Sequence, residues 1–347
     1  MKLGFGIVGT GNIARAHALA IQGIEGAKLV ACCDTVPARA SRFAADHGAT
    51  AYSDLESFLR HPGLDVVTVS TPSGSHLEPA VAGARAGKHL IVEKPLEITL
   101  ERCDRIIDAV ESAGVRCAGI FPMRFYPGPR NAKTVVSEGR LGRPVLGDAY
   151  VKWHRSQEYY DGSGWRGTWK LDGGGALMNQ AIHCVDLLQW LMGPVVSVQA
   201  LCGTLGHERI EVEDAAVAAI SFASGAIGVM EASTAAWPGF PTRVELSGTA
   251  GSLVLVDKDL TTLALAEPRA GDEALLSPPP KPAGATSNYN DPTAIDVTGH
   301  LEQFRDLCRS VEERREPILN AREARKSVAI ITAIYASARD GGKVAVS

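Results

Sequence analysis

Apolar residues come in short unbroken runs along the first third of the chain, at 3–8, 28–34, 65–70, 89–92 and 115–120. Between the runs the spacing changes to three and four, which predicts helices over 38–47, 54–60, 76–86 and 100–113. A further helical stripe, Ile13, Ala16, His17, Ala20 and Ile21, follows the first run. Gly48, Gly87 and Gly114 stand where helix C-caps belong. Wholly apolar strands alternating with helices predict a doubly wound parallel sheet over residues 1–122.

After Pro122 the pattern turns strand-like, at 145–153, 195–203, 215–222, 226–234, 242–247 and 251–257. Few helices intervene, so a second domain with a large, mainly antiparallel open sheet is expected over 123–300. One long helix interrupts it, expected from Gly174 or Gly175 to about Met192, where Gly193-Pro194 stops it. The stretch 301–347 reads as two amphipathic helices, through Phe304, Leu307 and Val311 and then Val328, Ile331, Ile334 and Tyr335, expected to pack back onto the other domains. Residues 277–282 are proline-rich and read as a loop. The fold class is therefore α/β.

Chemistry enters at the first turn. Gly9-Thr10-Gly11-Asn12-Ile13-Ala14 directly follows the first run, and Asp34 ends the second. Gly9 lets the chain turn sharply off a strand, Gly11 keeps a side chain away from a pyrophosphate, and Ala14 lets the helix lie close to the sheet. The helix N-terminus then offers N–H groups and a partial positive charge to phosphate, without needing a lysine. The Asp34 carboxylate can accept both hydroxyl hydrogens of an adenosine ribose and would repel a 2′-phosphate. Only Arg39 stands near as a cation, which favours NAD over NADP.

Composition narrows the partners. A chain of 347 residues suits two domains, and 35 basic against 39 acidic residues without long blocks of either sign point away from nucleic acid and membrane surfaces. A small-molecule partner is the expectation. Seven cysteines without a Cys-x-x-Cys fit reduced thiols in the cytoplasm better than disulfides or zinc. The first twenty residues have the outline of a signal peptide, but Asn12, Arg15 and His17 interrupt it.

Ligands of open parallel sheets collect beyond the carboxyl ends of the strands. There stand Thr71-Pro72-Ser73-Gly74-Ser75-His76 after the third run and Glu93-Lys94-Pro95 after the fourth. In the second domain Asn179, His183 and Asp186 follow Gly173-Gly174-Gly175 at helical spacing, on one stripe of the expected helix.

These motifs, in this order, resemble the Gfo/Idh/MocA oxidoreductase family, the group of glucose-fructose oxidoreductase and inositol dehydrogenase. The likeness rests on residues 9–14, on Thr71-Pro72 with His76, on Glu93-Lys94-Pro95, on 173–186 and on 317–335, and covers nearly the whole chain. It implies a Rossmann domain binding NAD, a second domain whose open sheet makes oligomer contacts in a homodimer or homotetramer, and hydride transfer at a secondary hydroxyl of a sugar or polyol. Thr71, Pro72, His76, Glu93 and Lys94 then join Gly9, Thr10, Gly11, Asn12, Ile13 and Asp34 on the cofactor side. Lys94 and His183 match the family's catalytic pair. Asn179 stands where the family often carries aspartate, and a neutral amide stabilises an imidazolium less than an anion does.

To oxidise an alcohol, one group takes the hydroxyl proton while another holds the oxygen. His183 is the expected base, with Lys94 orienting the hydroxyl; the reverse assignment and a relay through both stay open. Metal ligation by His183 and Asp186 is not expected, since no third ligand is evident. Arg155, Trp165 and Arg166 are candidates for substrate binding along with Asn179 and His183, because aromatic faces stack on sugar C–H surfaces and guanidinium groups make forked hydrogen bonds. Guanidinium groups turned toward the ligand would favour an acidic or diphosphate-linked sugar over a neutral polyol. The expected activity is an NAD-dependent dehydrogenase of a sugar, sugar acid, nucleotide sugar or inositol-type polyol. An NAD-dependent glycosidase working through transient oxidation and a non-catalytic NAD-binding sensor are the alternatives.

Overall fold

A computed structural model describes residues 2–277 and 296–347. The chain forms two compact units, Met1–Pro122 with Ile295–Arg325, and Met123–Ala294 with Lys326–Ser347.

The first unit alternates strand and helix: β1 (Leu3–Val8), α1 (Asn12–Gln22), β2 (Ala27–Cys33), α2 (Pro37–His47), β3 (Thr50–Tyr52), α3 (Leu55–Leu59), β4 (Val66–Val69), α4 (Leu77–Arg85), β5 (His89–Val92), α5 (Leu100–Ala113) and β6 (Cys117–Gly119). All six strands are parallel, in the order β3-β2-β1-β4-β5-β6. β1 and β4 are buried along their whole length, as strands covered on both faces must be. The chain leaves β1 for β2 on one side and returns at β4 on the other, which opens a crevice beyond their carboxyl ends. Local signals set the helix ends. Asp54 accepts a hydrogen bond from Ser57 N–H and Thr99 from Arg102 N–H, while Gly48 and Gly114 close α2 and α5 in the left-handed conformation. The short edge strand β3 was not legible in the sequence, because three half-exposed residues carry no periodicity. From the C-terminal stretch, α9 (Thr298–Glu312) packs along α1 and stacks Phe304 on Phe5.

The second unit holds α6 (Pro127–Ser137), β7 (Pro144–Lys152), α7 (Gln157–Asp161), α8 (Ile182–Met192), β8 (Val195–Gly203), β9 (Ala215–Phe222), β10 (Ile227–Ser233), β11 (Arg243–Gly248), β12 (Gly251–Val256) and β13 (Asp259–Leu265). Helix α10 (Ala321–Asp340) gives its first five residues to the first unit and the rest to the second, where β14 (Val344–Ala345) ends the sheet. The eight strands run β13-β12-β11-β7-β10-β9-β8-β14, antiparallel except for β7 beside β10. Burial alternates along β8, β9 and β10. One face packs on α8, and the other leaves Leu146, Val196, Leu201, Val217 and Ile227 exposed. Sequence spacing missed β13, β14, α6 and α7. The helix expected from Gly174 or Gly175 proves to be two pieces, a π-helical turn over Ala176–Ala181 followed by α8. Beyond Ser277, the proline-rich loop lies outside the described residues.

Candidate active site

The first unit supplies the cofactor side. Gly9 turns the chain off β1 with φ +88°, and a Cβ there would stand 2.8 Å from Ser70 O and Thr71 N, so only glycine fits. Ser70 Oγ donates to Gly9 O at 2.7 Å and pins the turn, a role that no spacing in the sequence pointed to. Gly11 is the N-cap of α1, without a side-chain cap and without an acid in the first turn. A Cβ on Gly11 would meet nothing within 4 Å, while Ala14 is fully buried. Open space in front of uncapped N–H groups, beside exposed Asn12 and half-buried Ile13, fits a dinucleotide pyrophosphate.

Asp34 needs a correction. Its Oδ2 already accepts Thr10 N–H at 2.9 Å and the Thr10 hydroxyl at 2.8 Å, and its Oδ1 accepts Val36 N–H at 2.9 Å. Of about four lone-pair positions on a carboxylate, three are filled. One ribose hydroxyl, not both, finds a place without displacing Thr10. Burial alone would raise the carboxyl pKa, but the hydrogen bonds from Thr10 and Val36 and the charge of Arg39 bring it below the usual value.

The loops after β4 and β5 are stapled together by His76. It is buried, its Nδ1 2.9 Å from Pro95 O and its Nε2 3.0 Å from Thr71 O, so its ring braces the two loops; it stands at the N-cap of α4 but makes no side-chain cap bond there. Thr71 spends its hydroxyl on Ser75 O at 2.9 Å; Thr71 and Pro72 are half-buried. Glu93 also differs from its expected role. It is buried, with Oε1 2.8 Å from His17 Nε2 and Oε2 accepting the Lys94 N–H at 3.0 Å, so it serves the protein interior. Burial would raise its pKa, yet the hydrogen bond and charge of His17 hold it at about 2. Lys94 itself is half-exposed, and its peptide bond to Pro95 is cis. Among the described residues, His17, Glu93 and His300 bring metal-ligating atoms within 4.8 Å of one another, but both ring nitrogens of His17 are engaged, with Thr68 and Glu93.

In the second unit the glycine run is explained by close approach. A Cβ on Gly175 would lie 1.9 Å from Glu213 O, and one on Gly174 2.1 Å from the Tyr335 hydroxyl. Glu213 accepts Gly175 N–H at 2.9 Å, Leu177 N–H at 2.8 Å and the Tyr335 hydroxyl at 2.9 Å, and so caps the π-turn that precedes α8. Burial pushes this carboxyl up to about 7 against those hydrogen bonds.

Asn179 donates to Asp172 Oδ1 at 2.6 Å and accepts from Gln180 at 3.2 Å. A carboxylate therefore stands behind the amide, supplied by Asp172, which is buried and also accepts Gly167 N–H. The sequence signal was there: Asp172 directly precedes the glycine run. His183 is half-exposed on α8. Asp186 leaves the proposed stripe altogether. It is fully buried and holds Arg124 through a two-pronged pair at 2.6 and 2.8 Å, because the inner face of α8, not its exposed one, carries position 186.

The two arginines part company. Arg155 is buried, donating to Gln180 Oε1 and His154 O at 3.0 Å and lying over Trp153 and Tyr159, so its guanidinium ties these side chains together inside the second unit. Arg166 is half-exposed, its guanidinium 4.2 Å from the Tyr159 ring centre and 5.4 Å from that of half-exposed Trp165.

A glycine-turned strand, an uncapped helix N-terminus and an acid after the second strand mark the first unit as dinucleotide-binding, and the relatives make the chain an NAD-dependent oxidoreductase acting on sugar or polyol hydroxyls. The chain belongs to the Gfo/Idh/MocA family: residues 3–121 match the oxidoreductase family, NAD-binding Rossmann fold, and residues 130–254 match the GFO/IDH/MocA C-terminal domain. It is 30% identical over 255 residues to the scyllo-inositol 2-dehydrogenase (NAD(+)) of Bacillus subtilis strain 168, covering 72% of each chain. Among solved structures it is similar to the WlbA dehydrogenase from Bordetella pertussis in complex with NADH and UDP-GlcNAcA, with TM-score 0.90, 35% identity and coverage of 100% and 98%. It is also similar to levoglucosan dehydrogenase in complex with NADH and L-sorbose, with TM-score 0.86, 26% identity and coverage of 99% of each chain. No helix among the described residues is long and apolar enough to cross a membrane.

Proposed function

We propose that the protein transfers hydride between NAD and one secondary hydroxyl of an acidic, nucleotide-linked sugar. The observation that carries this reading is Arg166, a half-exposed guanidinium laid on Tyr159 and Trp165, which offers one fixed charge beside aromatic faces to a sugar carrying a carboxylate or diphosphate. The full-length likeness to a dehydrogenase with NADH and UDP-GlcNAcA supports the same choice.

Bound NAD supplies the hydride acceptor, seated at Gly9 to Ile13 and Asp34. His183 takes the hydroxyl proton as the alcohol is oxidised and returns it in the reverse direction. Asn179, anchored by Asp172, supports it from the turn before. Lys94 orients the hydroxyl and stabilises negative charge on its oxygen, while Thr71, Pro72, His76 and Glu93 set the loops around it. The active form is a cytoplasmic homodimer or homotetramer, a reading favoured by seven unpaired cysteines and an exposed apolar sheet face.

A substrate panel tests the proposal, with reduced nicotinamide followed in a single turnover. UDP-GlcNAcA is expected to be oxidised with a kcat/KM at least about a hundredfold above those of levoglucosan and inositols, the worth of a charged pair of hydrogen bonds. Preference for a neutral polyol would overturn it.

A further inference from the structure

Beneath the loop that carries Lys94 runs a buried polar string whose inner members, His17 and Thr68, the chemistry above does not use. His17 of α1 is fully buried, its Nδ1 2.5 Å from the Thr68 hydroxyl of β4 and its Nε2 2.8 Å from Glu93 Oε1 at the end of β5. Glu93 Oε2 in turn accepts the Lys94 N–H at 3.0 Å. The carboxylate is ionised, so Nε2 of His17 donates to it, and Thr68 completes the string at Nδ1. His300 stands close by, its ring centre 6.0 Å from that of His17, but burial pushes its pKa down to about 4 and leaves it uncharged near neutrality.

An imidazole is an unusual choice for this place. Ala14, Ala18 and Ile21 already seat α1 on the sheet, and an aliphatic side chain would pack there without the cost of burying polar atoms. What only a donor can do is hold Glu93, whose second oxygen grips the backbone of the residue beside it.

We propose that His17 is a positioning residue for Lys94: it fixes the carboxylate that holds the Lys94 backbone, and so sets where the ammonium stands. The inference rests on the reading of Lys94 as the group that orients the alcohol. The same string ties the helix that receives the pyrophosphate to the loop that carries the lysine, so one residue registers both parts of the cofactor unit.

Two variants of nearly equal shape isolate the donor. His17→Gln keeps an N–H within reach of Glu93; His17→Met does not. The methionine variant is expected to lose about tenfold or more in kcat while its KM for NAD stays within about threefold of the parent, and the glutamine variant to stay within about threefold in both. In the cofactor-free protein, exchange of the Lys94 amide hydrogen, read by mass spectrometry, is expected to speed up by about tenfold or more with methionine and to remain near the parent rate with glutamine. Parental turnover and exchange in His17→Met, or equal losses in both variants, would overturn the proposal. Should His17→Met fail to fold, Thr68→Val, which removes only the outer hydroxyl, is expected to show both effects in smaller measure, and parental behaviour there counts against it. Lys94→Met separates the two claims. Full turnover in that variant sinks the catalytic reading of Lys94, while the exchange measurement still decides the positioning.

Discussion

Two carboxylates follow strands of the first unit, Asp34 after β2 and Glu93 after β5, and their surroundings give them different work. Asp34 is half-buried and tied to Thr10, with one lone-pair position left for a ribose hydroxyl, so its charge is what a 2′-phosphate would meet. Asp34→Asn keeps the shape and removes the charge. The ratio of kcat/KM for NAD over NADP is expected to fall by about tenfold or more, and an unchanged ratio in steady-state assays would assign cofactor choice elsewhere. Glu93 is buried, paired with His17 through one oxygen and accepting the Lys94 N–H through the other. Asp34 was legible because its strand, turn and acid lie within one short stretch. The partner of Glu93 was not, since His17 reads in the sequence only as one apolar-stripe position of a helix, 76 residues away.

At the level of elements, the decisive piece is the start of α8. A run of three glycines and a helical stripe announced a helix there, but periodicity cannot distinguish a π-turn from the first turn of an α-helix, and that difference shifts Asn179 against His183; Asp186, in α8 itself, is the buried partner of Arg124, which spacing cannot tell from an exposed position. Nor could spacing reveal that Glu213, 36 residues beyond Leu177, caps the turn. The burial of Glu213 has a consequence for stability. Its pKa rises from 4.5 to about 7 on folding, so the folded protein keeps this proton after the unfolded chain has lost it. The contribution is fully present below pH 4.5 and is lost as pH climbs to about 7, a fall on the order of 3 kcal/mol. Urea unfolding across that window is expected to show Glu213→Gln lacking this decline, and an identical slope in the variant would show that another group titrates.

For the molecule as a whole, the alternation of strands and helices made the parallel sheet legible and the later strand pattern made the antiparallel one so, because both faces of the first and one face of the second are buried. The strands β3 and β14 escaped, having too few residues to show a period. The second sheet exposes paired apolar neighbours, Leu201 beside Val217 and Ile227 beside Leu146, on one face of the kind that a second copy covers. Leu201→Lys with Val217→Lys is expected to convert an oligomer into monomers in sedimentation velocity; an unchanged mass would place the interface on another surface.

On the proposed function, Lys94 and His183 each act in one alcohol oxidation with NAD as the hydride acceptor. Its most direct test is single-turnover formation of reduced nicotinamide with UDP-GlcNAcA in the parent protein, Lys94→Ala and His183→Ala, each first shown to bind NAD with parental affinity. Both variants are expected to slow the step by about a hundredfold or more. Parental rates in both, with cofactor bound, would contradict it.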